Sequence, residues 1–252
     1  MTLSPARDFG VQSYCFRNFK DNSTVAELVK QIGVKTIELC AIHADFDDVD
    51  AFKGVLDIYQ KAGVKVVSIG VQTFVGDKTR ERKWFECAKA AGAKHISAHF
   101  TVGTFAHAVP VAAKLCEEFG IRIGIHCHGG YMFGGSPDVL EHLMKLGGPN
   151  IGMNLDTAWC MQIGPNGDPI EWVREKFKGK IFSVHYKDFV FDKRGQWTDA
   201  VVGTGNLDLP EFVRALDETG FDGMAVIEYE ADPEDPVPAL TKCVKKMRAL
   251  AK

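Results

Sequence analysis

Four ionisable side chains fall at the ends of short apolar runs in the second half of this 252-residue chain: His126 in RIGIHC, Asp156 in IGMNLD, His185 in IFSVHY and Glu228 in MAVIEY. Two imidazoles and two carboxylates make a nitrogen–oxygen ligand set of borderline hardness. It suits Mn2+, Zn2+, Fe2+ or Co2+ better than Ca2+, which prefers all-oxygen cages. One divalent ion is therefore expected, Mn2+ first among these. More polar groups sit close by in sequence: His99, His128, Trp159, Lys187 and Glu230. Each has a plainer reading. His99 reads as a satisfied structural histidine, Asp156 as a cap on the following turn, and Glu228 as a partner for Lys187. Lys187 itself could steady an oxyanion or leaving hydroxyl, or simply pair with Glu230 or Asp188. Scattered single residues would support those plain readings. Four ionisable groups on neighbouring runs do not, because burying each one unpaired would cost several kcal/mol.

To bring these residues together, the runs must be strands of one sheet. Eight β-rich runs recur along the chain: 9–14, 36–40, 65–71, 95–100, 122–127, 151–156, 181–186 and 224–229. Amphipathic stretches separate them, with helix-start and helix-stop residues at their ends. Ser23, Asp50, Ser136-Pro137 and Asp208 stand at helix starts, and Gly33, Gly63, Gly92, Gly120, Gly147 and Gly220 at stops. Alternating β and α units imply parallel strands joined by right-handed crossovers. No GxGxxG follows a strand, which argues against an open doubly wound sheet. The expected fold is α/β, a single (β/α)8 TIM barrel, forming one domain over residues 1–252.

Strand side chains alternate between the barrel lumen and the helix layer. If Ile123, Ile125 and Cys127 face the helices, then Gly124, His126 and His128 face the lumen. The same parity turns Asn154 and Asp156, then Ser183, His185 and Lys187, then Val226, Glu228 and Glu230 inward. The polar ends thus gather at the C-terminal mouth, where a barrel carries its active site.

Composition sets bounds on partners. The chain is 46% hydrophobic and 25% charged, with a formal net charge of −3 and no long basic run, so no nucleic-acid partner is expected. The opening MTLSPARDFGVQSYCF lacks the basic segment and apolar core of a secretion signal. No apolar stretch approaches the ~20 residues of a membrane span. The seven scattered cysteines read as reduced thiols, and a cytoplasmic location with no membrane partner is the expectation.

Four motifs carry a family resemblance: NLDTAW (154–159), VHYKDF (184–189), VIEYE (226–230) and GTGNLDLPEF (203–212). They are similar to the LDTGH, HxKD, terminal-strand Glu and GxGxxDF elements of the xylose-isomerase-like superfamily of sugar isomerases and epimerases. That superfamily includes inosose dehydratase and the endonuclease IV repair enzymes. The resemblance implies Asp156, His185 and Glu228 as metal ligands. Tagatose-epimerase-like members carry a Glu on the fifth strand. Here GIHCHGG offers His126 and His128 instead, as in the HxH of the inosose-dehydratase-like branch, and His126 is favoured as the fourth ligand. Trp159 stands where the LDTGH motif has His.

The activity so implied is metal-dependent sugar isomerisation or epimerisation, moving a proton next to a carbonyl through a metal-stabilised enediolate. Glu228 would act as one base, with His126 or His128 as the other and Lys187 assisting. Trp159, Lys187, His99 and Glu230 would contact a sugar or polyol; Phe16 could stack there as well, but core packing is its plainer reading. The alternative is a dehydratase or lyase expelling a β-leaving group from a keto-sugar or keto-inositol. An abasic-site endonuclease would need about nine ligands around three zinc ions, and the first half offers only Glu38, His43 and His99. A barrel that only binds a sugar is a further reading. Related barrels often form dimers or tetramers, so a homo-oligomer is compatible with the resemblance.

Overall fold

All eight apolar runs form parallel strands of one closed sheet. A computed structural model describes residues 4–130 and 132–251. The strands are β1 (Gly10–Gln12), β2 (Thr36–Leu39), β3 (Lys65–Phe74), β4 (His95–Phe100), β5 (Arg122–His126), β6 (Ile151–Asp156), β7 (Ile181–Tyr186) and β10 (Met224–Ile227). They close in the order β1-β10-β7-β6-β5-β4-β3-β2. The fold is a single (β/α)8 TIM barrel.

Helices α1 (Asn22–Gln31), α2 (Val49–Lys61), α3 (Lys78–Ala90), α4 (Phe105–Phe119) and α5 (Pro137–Gly147) follow the first five strands. The β6–β7 crossover holds α6 (Thr157–Gln162) and α7 (Pro169–Glu171), the latter running into a π turn at Trp172–Lys176. Helices α8 (Leu209–Glu218) and α9 (Val237–Ala249) flank β10. Two caps differ from expectation. Asp21, not Ser23, caps α1 by accepting from Thr24 N at 2.8 Å, and Asp48, not Asp50, caps α2. In both cases a carboxylate begins the helix earlier than the expected residue, satisfying the N–H groups of the first turn.

One element has no counterpart in the expected pattern. After β7 the chain forms an antiparallel hairpin of β8 (Asp188–Phe191) and β9 (Trp197–Ala200). Its turn is closed by Asp192 N donating to Gln196 O at 2.9 Å, and Gly195 takes a φ of 76° that other residues rarely adopt.

The inward and outward faces follow the alternation. Ile123, Ile125, Ile151, Met153, Leu155 and Val184 are buried in the apolar core. Gly124 lies on the lumen side, and a Cβ there would come within 2.7 Å of Ser183 Oγ. Without that Cβ, Asn154 and Ser183 can close the lumen directly beneath the mouth. The register of β6 on β7 shifts between Met153 and Asn154, which sets Asp156 beside His185.

Candidate metal centre

His126 ends β5, Asp156 ends β6, His185 is the fifth residue of β7, and Glu228 follows β10 directly. All four are buried. One ligand atom from each lies within 4.8 Å of every other, the spacing needed to hold an ion. His126 Nε2 is 3.6 Å from Asp156 Oδ2, and His185 Nδ1 is 3.2 Å from Glu228 Oε2.

Asp156 does two things at once. Its Oδ1 accepts from Trp159 N at 2.9 Å and so caps α6. Its Oδ2 is buried without a hydrogen-bond partner among the described residues, as is His126 Nδ1. A buried carboxylate oxygen left bare is costly, and a cation between these side chains would satisfy it. The donor set therefore fits a divalent ion.

Electrostatics divide the residues into neutral and charged groups. Burial holds His126 well below the ordinary imidazole range, with charge on His185 adding to the effect. Burial, then His126 and His128, pushes His99 down to about 3, and burial also lowers His128. All three are neutral at pH 7. His185 behaves oppositely: burial works against its charge, but Glu38 and Glu228 outweigh that and raise it to about 10. Burial raises Asp156 to about 6, with Lys187 opposing. Burial also acts to raise Glu228, yet Lys187 and His185 hold it ionised. Lys187 is driven upward by Glu228, Asp156 and Glu230 despite its burial.

The geometry separates the two histidines of β5 and the turn beyond it. His126 belongs to the cluster. His128 does not; its ring stacks on Trp159 with centroids 4.0 Å apart and planes 22° apart. His99 packs against His126 at 5.1 Å between centroids and lies 6.3 Å from His128. Lys187 is almost wholly buried, hydrogen-bonds Glu230 and lies 3.7 Å from Glu228 Oε2. Of its three expected carboxylate partners it pairs with Glu230 and, at longer range, Glu228, while Asp188 is engaged elsewhere. Phe16 is fully buried in the apolar core and offers no face to a sugar, in line with its plainer reading as a core residue.

Several groups at the site were not anticipated. Phe189 and Trp197, on the hairpin, meet Trp159 edge-on at 5.0 and 5.2 Å and extend an aromatic wall from the mouth. The alternation in FVFDKRGQWTDA, with a turn-forming Gly195, was the available signal. Asp188 accepts from the backbone N–H groups of Gly203, Gly205 and Leu207 at 3.0, 2.8 and 3.0 Å. It thereby ties VHYKDF to GTGNLDL, two motifs that looked independent in the sequence. Glu38, on β2, is fully buried and reaches across the lumen to His185 Nε2 at 2.8 Å.

Comparison with known proteins follows the same lines. A family model described as xylose isomerase-like TIM barrel matches residues 26–250. Rhizopine catabolism protein MocC of Rhizobium meliloti is 30% identical over 140 residues, half of this chain. The match spans 42% of that relative's own length. Among solved structures, a xylose isomerase-like TIM barrel protein from Mycobacterium smegmatis in complex with magnesium superposes with a TM-score of 0.78, at 11% identity and 98% coverage of both chains. The 3-keto-D-glucoside 4-epimerase of E. coli gives 0.73 at 16% identity, covering 96% of this chain and 99% of that one. A probable 3-DHS dehydratase from Bacillus anthracis gives 0.72 at 15%, covering 94% and 97%. At these identities the structures share the fold. Among the described residues no helix is long and apolar enough to cross a membrane.

Proposed function

Because the chain belongs to the xylose isomerase-like TIM barrel family, we propose that it is a divalent-metal-dependent sugar isomerase or epimerase. The observation that carries this reading is the buried cluster of His126, Asp156, His185 and Glu228 at the barrel mouth, with Asp156 Oδ2 left without a partner. A divalent ion held by these four residues, Mn2+ in preference to Zn2+, Fe2+ or Co2+, would supply Lewis acidity to a carbonyl and its neighbouring hydroxyl.

The protein's own groups do the rest. Glu228 is held ionised and accepts a carbon-bound proton on one face of the substrate. His126 or His128, each a neutral imidazole, accepts or returns it on the other. His128 is the better placed for this, since it is not part of the ligand cluster. The Lys187 ammonium donates to negative charge developing on a substrate oxygen. Trp159, His99 and Glu230 line the space for a small sugar or polyol, and the aromatic groups keep water from it.

Elimination is the second reading. The E. coli neighbour is an epimerase and the B. anthracis one a probable dehydratase, so relatives in fold include both chemistries. The specific observation favouring elimination is the pair of neutral histidines where a second carboxylate base would otherwise stand, with a buried ammonium able to hydrogen-bond a leaving hydroxyl. The net charge of −3 supports a small-molecule partner over nucleic acid. The seven free, buried cysteines support a reducing, cytoplasmic setting.

Elemental analysis of protein purified without chelator, followed by a mass-spectrometric screen of keto-sugars and inososes with Mn2+ in D2O, tests the proposal. Solvent deuterium in recovered ketose supports isomerisation or epimerisation, and a product lighter by one water supports elimination. Protein free of transition metal that turns over none of these compounds would overturn both.

A further inference from the structure

We infer that Glu38 is a positioning residue, fixing which nitrogen of His185 faces the metal; this rests on the metal site proposed above. Glu38 lies on β2 and His185 on β7, 147 positions apart, so the contact spans the barrel lumen. Glu38 is held from two further strands. Its Oε1 accepts from Gln12 Nε2 of β1 at 2.6 Å, and its Oε2 from Ser97 Oγ of β4 at 2.6 Å. The remaining capacity of Oε1 is directed at His185 Nε2, 2.8 Å away. Asn154 Nδ2 donates to Ser97 Oγ at 3.0 Å and also lies 3.0 Å from His185 Nε2, a second donor there, so it is the closer Glu38 Oε1 that calls for the proton on Nε2.

An ionised carboxylate can only accept. Facing Glu38, Nε2 must therefore carry the N–H. The other nitrogen, Nδ1, points toward Glu228 Oε2 at 3.2 Å, inside the ligand cluster. Without an ion Nδ1 carries a proton too, donated to the Glu228 carboxylate; an ion would take that proton's place while the Nε2–H to Glu38 stays. Metal-binding imidazoles commonly donate their second N–H to a carboxylate, which sets the tautomer, fixes the ring plane and makes the ligand more basic. No metal-ligand role falls to Glu38 itself, since its oxygens are already committed to Gln12, Ser97 and His185.

Titration with Co2+ alone, followed by calorimetry and visible absorption, tests the assignment. Glu38→Gln should keep its fold by circular dichroism yet bind Co2+ about 10- to 100-fold more weakly than wild type, with an altered absorption envelope. Adding His185→Ala to Glu38→Gln should weaken binding no further than His185→Ala alone. Wild type that binds Co2+ and a folded Glu38→Gln that binds it equally well would overturn the inference while leaving the metal site standing. Wild type that binds no Co2+ would overturn both. A measurement on wild type covers the case of a variant that does not fold. Histidine 15N spectra of the Zn2+-loaded protein should show His185 protonated at Nε2 and metal-bound through Nδ1; the reverse tautomer would overturn the inference.

Discussion

The indole of Trp159 lies flat on the imidazole of His128, ring centroids 4.0 Å apart. His128 comes from the loop after β5 and Trp159 from α6, and the stack gives one face of Trp159 to a protein side chain, so a sugar can meet only the other. Stacking of this kind contributes about 0.5–1.5 kcal/mol. Trp159→Leu should raise KM by about three- to tenfold with a smaller change in kcat. Because burial is what depresses His128, losing the indole should also move its titration upward toward the ordinary range. Steady-state kinetics and a histidine NMR titration measure the two effects.

Metal binding should appear first as stability. At a hundredfold excess over Kd an ion adds about 2.7 kcal/mol. For a chain of this size that corresponds to roughly 5–10 °C in Tm. Differential scanning fluorimetry with Mn2+ should show such a rise for wild type and none for Asp156→Ala. An equal rise in both would remove Asp156 from the ligand set.

Lys187 is a buried cation facing Glu228 and Glu230. Lys187→Met leaves two carboxylates without it, and breaking a buried pair in this way costs about 3–5 kcal/mol. Glu230→Gln in the same chain should recover about 1 kcal/mol or more of that loss. Urea denaturation of the two single variants and the double variant closes the cycle. Strict additivity would mean that the two side chains are not coupled.

Asp188 should matter for stability even though it touches no ligand atom. Its carboxylate satisfies three backbone N–H groups of the loop before α8. Hydrogen bonds to a charged group contribute about 1.5–3 kcal/mol each, and the donors of a partly exposed loop recover part of this from water. Asp188→Ala should therefore lose about 2–4 kcal/mol in chemical denaturation. Hydrogen exchange should speed up at Gly203, Gly205 and Leu207 before it does in the barrel.

Acid sensitivity should arise partly at the opposite end of the barrel. His95 begins β4, is buried, and accepts from Arg122 Nη2 at 3.0 Å through Nε2, so it must stay neutral. Burial, then Arg122, lowers it to about 4. The unfolded chain takes up a proton near pH 6.5, while the folded protein resists until about pH 4. Stability is thus complete above pH 6.5 and falls as pH drops between those values, by roughly 3 kcal/mol in all. His95→Gln should flatten this part of the Tm–pH curve. An unchanged slope would assign the acid loss to other groups.

The parts of the site that were legible in the sequence are those where polar and apolar residues alternate. In RIGIHC and IFSVHY the apolar positions mark the helix layer, so His126 and His185 had to face the lumen. The motif around Asp156 and the terminal-strand Glu228 agreed with that parity. Glu38 obeys the same alternation in TIELC, but its meaning lies in a contact across the lumen that no local pattern encodes. Trp197 and Phe189 were missed because the seventh run was ended at Tyr186 and the hairpin before the eighth has a half-exposed pattern. Phe16 packs in the core, the plainer reading of an apolar residue just beyond the first run. The caps shifted from Ser23 and Asp50 to Asp21 and Asp48 because several competing cap residues cluster at each helix start.

The sheet closes on itself, so each strand carrying a ligand is laced to a neighbour on both sides. No strand can slide or tilt to draw its donor inward without breaking backbone hydrogen bonds along two seams. An ion held at the proposed site would therefore be accommodated by side-chain rotation, not by bending the barrel. The barrel backbones of the protein with and without Mn2+ should then superpose.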